Sequence, residues 1–434
     1  MFGYYIDLAW RSLTRNKVLT ALMVLAIGLG IGASMTMITV LHVMSGDPLP
    51  GRSSQLFYPQ LDPQDMDGYK QGVDPPQQLT WIDAMSLLHA DKGTHQAAMS
   101  SGEVTVRPPQ GDARAFYADA RFSTADFFAM FDVPFAAGNG WSAADDEHEA
   151  HVVVIERTLA EKLYGSSSAI GRTLRLGSSD FRVIGVIDPW HPVPHFYDLT
   201  GGSYQPGEQV FMPLSTALAL KQGIGGSLEC WGSVSFDKLD RKTASCTWLQ
   251  FWVQLDTPAQ QQAYREFLVH YSQEQQTLGR FVRPPNTRLR SLMGWLDYNN
   301  VVPGSVQLET WLALSFLLVC LINTVALLLV KFLRRAGELG VRRAMGASMR
   351  SVFAQLLVEA ALVGLSGGVV GVLLALFGLW VVRQQPAEYA NLAYLDAPML
   401  YATFALALFT TVLAALFPAW RACCLAPARA LKIQ

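Results

Sequence analysis

The chain has 434 residues, of which 51% are hydrophobic and only 16% charged, against about 25% charged in ordinary soluble domains. Its net charge of −2 hides two materials: residues 44–306 hold 29 acidic and 20 basic side chains, and the remainder holds 6 and 13. An acidic soluble block is thus set into an apolar chain with basic edges, and no soluble domain gathers the basic residues that nucleic-acid binding requires.

In chain order, the first predicted element is a short amphipathic helix over residues 1–17. Ile6, Trp10 and Leu13 share one face, and Arg11 and Arg15 share another, the pattern of a helix lying at a membrane interface. A bilayer core about 30 Å thick needs about 20 mostly apolar residues to cross it. Residues 18–44 meet this without a charge after Lys17. A cleaved signal peptide is the alternative; the run is too long for one, and no small-residue cleavage site ends it.

Residues 45–306 read as a mixed α/β domain. Strand patterns fall at Arg114–Ala118, His151–Ile155, Phe181–Ile187, Gln209–Met212 and Thr247–Leu255. Helical patterns fall at Trp81–His89, Arg157–Tyr164 and Pro258–Gln276. Gly and Pro punctuate them. Asp145, Asp146, Glu147, His148, Glu149 and His151 form a dense polar run, read as a solvated loop because adjacent acids seldom converge on one ion. His191 and His195 are separated by two prolines, which removes helical metal-ligand spacing. No GxSxG, HExxH or CxxC occurs in this block. No catalytic residue and no metal site is expected. Cys230 and Cys246 make one available pair in an oxidising compartment; a bridge and two free thiols both remain open.

Three more spans follow: 307–332, with its apolar centre at Trp311–Val330; 352–382, with the single charge Glu359; and 398–420. Asn323 in the second reads as an interhelical hydrogen-bond partner. Gly28 with Gly32, Gly364 with Gly368, and Gly367 with Gly371 stand four apart, the spacing that lets helix backbones approach in lipid. They pack either one subunit's own helices or a subunit interface. Basic residues flank one side only: Arg11, Arg15 and Lys17, then Lys331, Arg334, Arg335, Arg342, Arg343 and Arg350 in the loop 333–351, then Arg421, Arg429 and Lys432 in the tail 421–434. Only Arg383 falls in the short loop 383–397. The positive-inside rule places both termini and the loop 333–351 in the cytoplasm. The acidic block then faces outward, into the periplasm of a Gram-negative cell. The expected fold is an α-helical membrane protein with four transmembrane helices and a large mixed α/β periplasmic domain between the first and second. The sequence has no GxxxxGK[ST] phosphate loop.

Several stretches resemble the MacB/FtsX-type permeases of ABC transporters, the type VII or mechanotransmission group. The first is Leu8-Ala9-Trp10-Arg11-Ser12-Leu13-Thr14-Arg15-Asn16-Lys17, similar to that family's entry helix. Within Arg121–Asp188, Phe127-Phe128, Gly138, Val152–Ile155, Leu159–Gly165, Ile170–Leu174 and Phe181–Ile187 follow the order and spacing of a MacB-like periplasmic domain. Residues 198–306 match only loosely. Glu338-Leu339-Gly340-Val341-Arg342-Arg343-Ala344-Met345-Gly346-Ala347 resembles the cytoplasmic signature, and Pro418–Ala422 with Pro427–Leu431 resembles the tail.

The resemblance implies an inner-membrane permease subunit, itself not an enzyme. ATP and Mg would be bound by a separate ATPase subunit, and the chain itself would bind no cofactor. A second permease copy or a related permease would complete a dimer. Glu338, Gly340, Arg342, Arg343 and Gly346 would form the ATPase-coupling interface. It also implies mechanotransmission, most readily for efflux from the periplasm with an adaptor and an outer-membrane channel. A lipoprotein-release permease and an FtsX-like regulator of periplasmic partners are the alternatives. The substrate is not legible.

Overall fold

The computed structural model describes residues 8, 11–12, 14–109, 114–165, 169–235, 239–385 and 389–424. Of the sequence expectations, Ile6, Trp10 and Leu13 of the entry helix and Pro427, Arg429 and Lys432 of the tail lie outside the described residues. The chain divides into two compact units, Gly46–Val301 and the combination of Met1–Ser45 with Val302–Gln434.

The unit Gly46–Val301 is built on a mixed sheet. Its strands are β1 (Leu56–Gln60), β2 (His95–Arg107), β3 (Phe116–Ser123), β4 (Phe135–Gly138), β5 (Val152–Glu156), β6 (Thr173–Leu176), β7 (Ser179–Ile187), β8 (Val210–Pro213) and β9 (Gly223–Ile224). Beyond these come β10 (Glu229–Cys230), β11 (Cys246–Thr247), β12 (Gln250–Gln254) and β13 (Arg288–Ser291). The main order is β13-β1-β12-β2-β3-β8-β5-β7-β4, with β6 on β2 and β7, and β9 on β2. The β3–β8 and β5–β7 pairs are parallel, and the others antiparallel. Because side chains alternate across a strand, the sheet carries a core on each face. Ala98, Phe122 and Phe251 point into one, with the helices Trp81–Ala90 and Arg157–Tyr164 packed over it; Met99, Phe211 and Trp252 point into the other.

The second core is aromatic. Phe127 lies within 6 Å, centroid to centroid, of Phe128, Phe131, Trp190, Tyr197 and Phe211. Over it runs the strandless segment 188–209, and one buried cation pins that segment to the sheet. Arg121 on β3 is 1% exposed. It donates to Asp198 Oδ2 at 2.6 Å and through Nε to Glu208 Oε1 at 3.0 Å. Tyr197 Oη donates to the other Glu208 oxygen at 2.6 Å, and His195 Nε2 lies 3.4 Å from Glu208. Burial alone would raise Glu208, but the Arg121 guanidinium holds its carboxyl far below the usual range. Burial likewise works against the Arg121 charge, and Glu208 and Asp198 overcome it.

The polar run begins as a short helix, Ala143–Glu147, closed by a capping box between Ser142 and Asp145. Asp146 accepts hydrogen bonds from the Ala125 N–H at 2.7 Å and the Trp141 indole at 3.0 Å. Burial nevertheless pushes its carboxyl up to about 7. Cys230 and Cys246, directly opposite in the β10–β11 pair, are joined as a disulfide. His191 accepts a hydrogen bond from the Gly207 N–H at 3.1 Å.

In the other unit, four helices among the described residues are long and apolar enough to cross a membrane: Lys17–Ser45, Gly304–Arg334, Met349–Arg383 and Ala397–Cys424. The first packs on the second and third, and the fourth packs on the same two. The first and fourth meet across the short diagonal, which leaves the second and third at the far corners.

Glycines set these contacts. A Cβ on Gly28 or Gly32 would stand 2.6 Å from Val370 Cγ1 or Leu374 Cβ of the third span. Gly367 and Gly371 face Ile27 and Ile31 of the first in return. Gly364 and Gly368 face Thr411 and Ala407 of the fourth span. The three glycine pairs therefore pack the chain's own helices, which decides between the two readings left open by their spacing.

Asn323 needs correction as an interhelical partner. It is exposed on the outer surface of the second span beside Ile322, and among the described residues its side chain has no hydrogen bond within the chain. Helical rotation turns it outward, while the next residue, Thr324, is buried and donates to its own helix at Cys320 O.

Candidate functional site

The sequence between the second and third spans folds as a separate short helix, Ala336–Ala344. We call it the coupling helix, after the role that the resemblance implies for it. Its amphipathic pattern follows from Leu339 and Gly340 on one face and Glu338, Val341 and Met345 toward the other. Arg335 is the corner residue, ending the second span and opening the coupling helix. At the other end Gly346 adopts φ +102°. Its N–H donates to Arg343 O and the Ala347 N–H to Arg342 O, both at 3.1 Å. This is the glycine-terminated helix end that satisfies the last carbonyls. Ser348 then caps the third span by accepting from the Ser351 N–H at 3.2 Å, so only four residues separate one helix from the next.

Polar contacts hold the coupling helix to the bundle at both ends. At its start, Arg335 Nη1 donates to Ser12 Oγ at 2.6 Å and to Glu359 Oε2 at 3.0 Å, and Arg335 Nε donates to Glu338 Oε2 at 3.0 Å. Arg15 approaches the other Glu338 oxygen at 3.5 Å. Ser12 Oγ also donates to Glu359 Oε1. Lys331 Nζ lies 2.6 Å from that same oxygen, as an ion pair rather than an aligned hydrogen bond. Lys331 and Glu359 are both 0% exposed. At its far end, Arg342 donates to Gln355 Oε1 of the third span at 2.9 Å, and Arg343 to Cys423 O of the fourth at 2.8 Å. Burial would raise the Glu338 carboxyl, but the hydrogen bond and charge of Arg335, with Arg15 and Arg342 behind, hold it below the ordinary range.

The residues expected at the coupling interface therefore lie together on one helix and its end, some turned inward and Glu338 and Gly346 exposed. Gly340 is buried, Arg342 and Arg343 reach the chain's own spans, and Glu338 reaches Arg335 and Arg15. The surface left open at the coupling helix mixes the Glu338 carboxylate with apolar Val341, Ala344 and Met345, the last 77% exposed. Sequence reasoning missed Ser12, Lys331, Arg335 and Glu359 as one group. The available signal was Glu359, the sole acid in a 35-residue apolar helix, because a charge within a span requires a partner.

This arrangement defines a class, a multi-pass helical membrane protein carrying a large inserted α/β domain. Residues 20–269 match the family model described as MacB-like periplasmic core domain, and residues 311–427 match that described as FtsX-like permease C-terminal. The chain belongs to this family of MacB/FtsX-type permeases. Among curated relatives, it is 25% identical over 444 residues to the pyoverdine export ATP-binding/permease protein PvdT of Pseudomonas entomophila, covering 99% of this chain and 59% of that one. It is also 25% identical over 349 residues to the macrolide export ATP-binding/permease protein MacB of an Azoarcus species, covering 77% and 45%. The chain thus spans about three fifths or less of the length of these relatives. The periplasmic region of MacB from Actinobacillus actinomycetemcomitans aligns with a TM-score of 0.36 at 13% identity, covering 56% of this chain and 92% of that one; the family assignment rests on the two family models.

Proposed function

We propose that this chain is the permease subunit of an ABC transporter. In this reading a separate ATPase subunit docks on the cytoplasmic face, and the coupling helix passes its movement to the spans and so to the inserted domain in the periplasm. The work done is export from the periplasm, with the termini in the cytoplasm as the basic flanks indicate. A second permease makes the dimer on which two ATPase subunits close, and an adaptor and outer-membrane channel complete the export path. The names of the relatives, export ATP-binding/permease proteins, support the export reading.

The observation that carries the proposal is the coupling helix itself. It is short, fixed to the bundle at both ends, and open along Glu338, Val341 and Met345. A rigid lever with an exposed contact face is what transmission of a docked partner's motion requires. The test is ATP hydrolysis by a candidate ATPase subunit reconstituted with the permease in lipid nanodiscs. Met345→Asp is expected to abolish stimulation while membrane insertion stays normal. Wild-type stimulation in Met345→Asp, or labelling of a cysteine at position 348 from the outside, would overturn the reading.

A further inference from the structure

The second and third spans flank the coupling helix, yet they occupy opposite corners of the bundle. The first and fourth spans pack on both of them, so the second and third are linked chiefly through these neighbours. Among the described residues, charged side chains join them at the loop end. Glu359 is buried eleven residues after the Ser348 cap, about 16 Å into the third span. Lys331 meets it from the last turn of the second span, and Arg335 meets it from the corner. Ser12 meets it from the N-terminal segment. Two separate stretches of chain, residues 331–335 and the N-terminal segment, thus converge on one carboxylate of the third span, with the coupling helix tied in through Arg335 and Glu338.

The chemistry explains why such a group is present. A buried carboxylate in a span is costly, and a bland bundle would place an apolar residue here. Replacing a buried ion pair by apolar residues of like volume is often neutral or favourable for stability. A charged hub in this position therefore needs a reason other than stability. Directional bonds offer one. Apolar contacts let helices slide, whereas a carboxylate accepting from a guanidinium, a hydroxyl and paired with an ammonium fixes one register.

We infer that Glu359 is the positioning residue of the transmission. It locks the second span, the third span, the N-terminal segment and the coupling helix into one rigid joint, so that the loop moves them together. This inference rests on the coupling reading above, and it adds a residue that touches neither ATP nor the ATPase.

The test uses the full chain in nanodiscs with the candidate ATPase subunit. Glu359→Gln keeps the shape and removes the charge. The double variant Lys331→Met with Glu359→Met removes both buried partners and preserves assembly if the single change impairs it. Three quantities are read: ATPase binding, maximal stimulated hydrolysis, and amide hydrogen exchange across residues 336–344. The expected result is unchanged ATPase binding, a loss of stimulation of about fivefold or more, and faster exchange in the coupling helix in both variants. Recovery of stimulation in the double variant would show that the charges only balance one another, and it would overturn the inference. Loss of stimulation with unchanged exchange would overturn it as well. If the wild-type chain binds no ATPase, the coupling reading falls; the exchange comparison in the permease alone still decides whether Glu359 positions the helix.

Discussion

The glycine seam between the first and third spans makes a sharp quantitative prediction at Gly32. A Cβ at this position would lie 2.6 Å from Leu374 Cβ and 3.2 Å from the Gly371 carbonyl oxygen. Carbon atoms in contact stand about 3.5–4.0 Å apart, so the two helices must separate by about 1 Å. No rotamer change relieves this, because Leu374 Cβ is fixed to its backbone. Overpacking of this kind costs about 1–3 kcal/mol, and alanine recovers roughly 1 kcal/mol over glycine in a helix. Gly32→Ala should therefore destabilise the bundle by up to about 2 kcal/mol, as much as a roughly 30-fold change in the folding equilibrium. Gly304→Ala is the control, since a Cβ there meets nothing within 4 Å; it should be neutral or slightly stabilising. The assay is unfolding of the purified protein in mixed micelles titrated with SDS. A Gly32→Ala variant as stable as Gly304→Ala would refute the seam.

Two further outcomes concern the large domain, each measured on the purified full chain in detergent. Arg121→Met leaves Asp198 and Glu208 buried without their cation and should cost about 3–5 kcal/mol in the urea unfolding transition. Arg121→Lys should recover little, because it cannot donate to both carboxylates through a planar fork. Asp146 gives a pH dependence. Its folded value of about 7 lies above the unfolded carboxylate value of about 3.9, so the folded state holds the proton more tightly. The resulting stabilisation is full below about pH 4 and is lost as pH rises toward 7. Asp146→Asn should flatten that slope in urea midpoints measured from pH 4 to 8, and an unchanged slope would show that another group is responsible.

The spans were legible because nothing but lipid explains apolar runs of that length. The helical patterns at Trp81–His89, Arg157–Tyr164 and Pro258–Gln276 were legible in the sequence and lie within the helices Trp81–Ala90, Arg157–Tyr164 and Pro258–Thr277. The strand β2 was not. Its centre reads Ser100-Ser101-Gly102-Glu103, a turn by composition, and it is a strand because β3 and β12 pair with it from either side. Tertiary pairing overrode local propensity there. Arg121 was equally hidden. It sits within a stretch similar to the family domain, but nothing in its neighbours announces that Asp198 and Glu208, 77 and 87 residues away, will bury it.

The loop arginines show a subtler limit. One-sided basic residues are enough to explain orientation, so Lys331 and Arg335 carried no further signal in the sequence, and Arg342 and Arg343 only what the resemblance added. Four-residue spacing does place Gln355 and Glu359 on one face of the third span, which identifies a polar stripe without naming its partners. Those partners depend on two facts that belong to the folded bundle. Arg335 falls at the corner where one helix ends and the next begins. The second and third spans, though far apart in the bundle, bring their loop ends within reach of a lysine. The same residues thus serve orientation by their charge and register by their geometry. Exchanging arginine for lysine keeps the first and loses the second, which is why Arg335 in particular should not tolerate it.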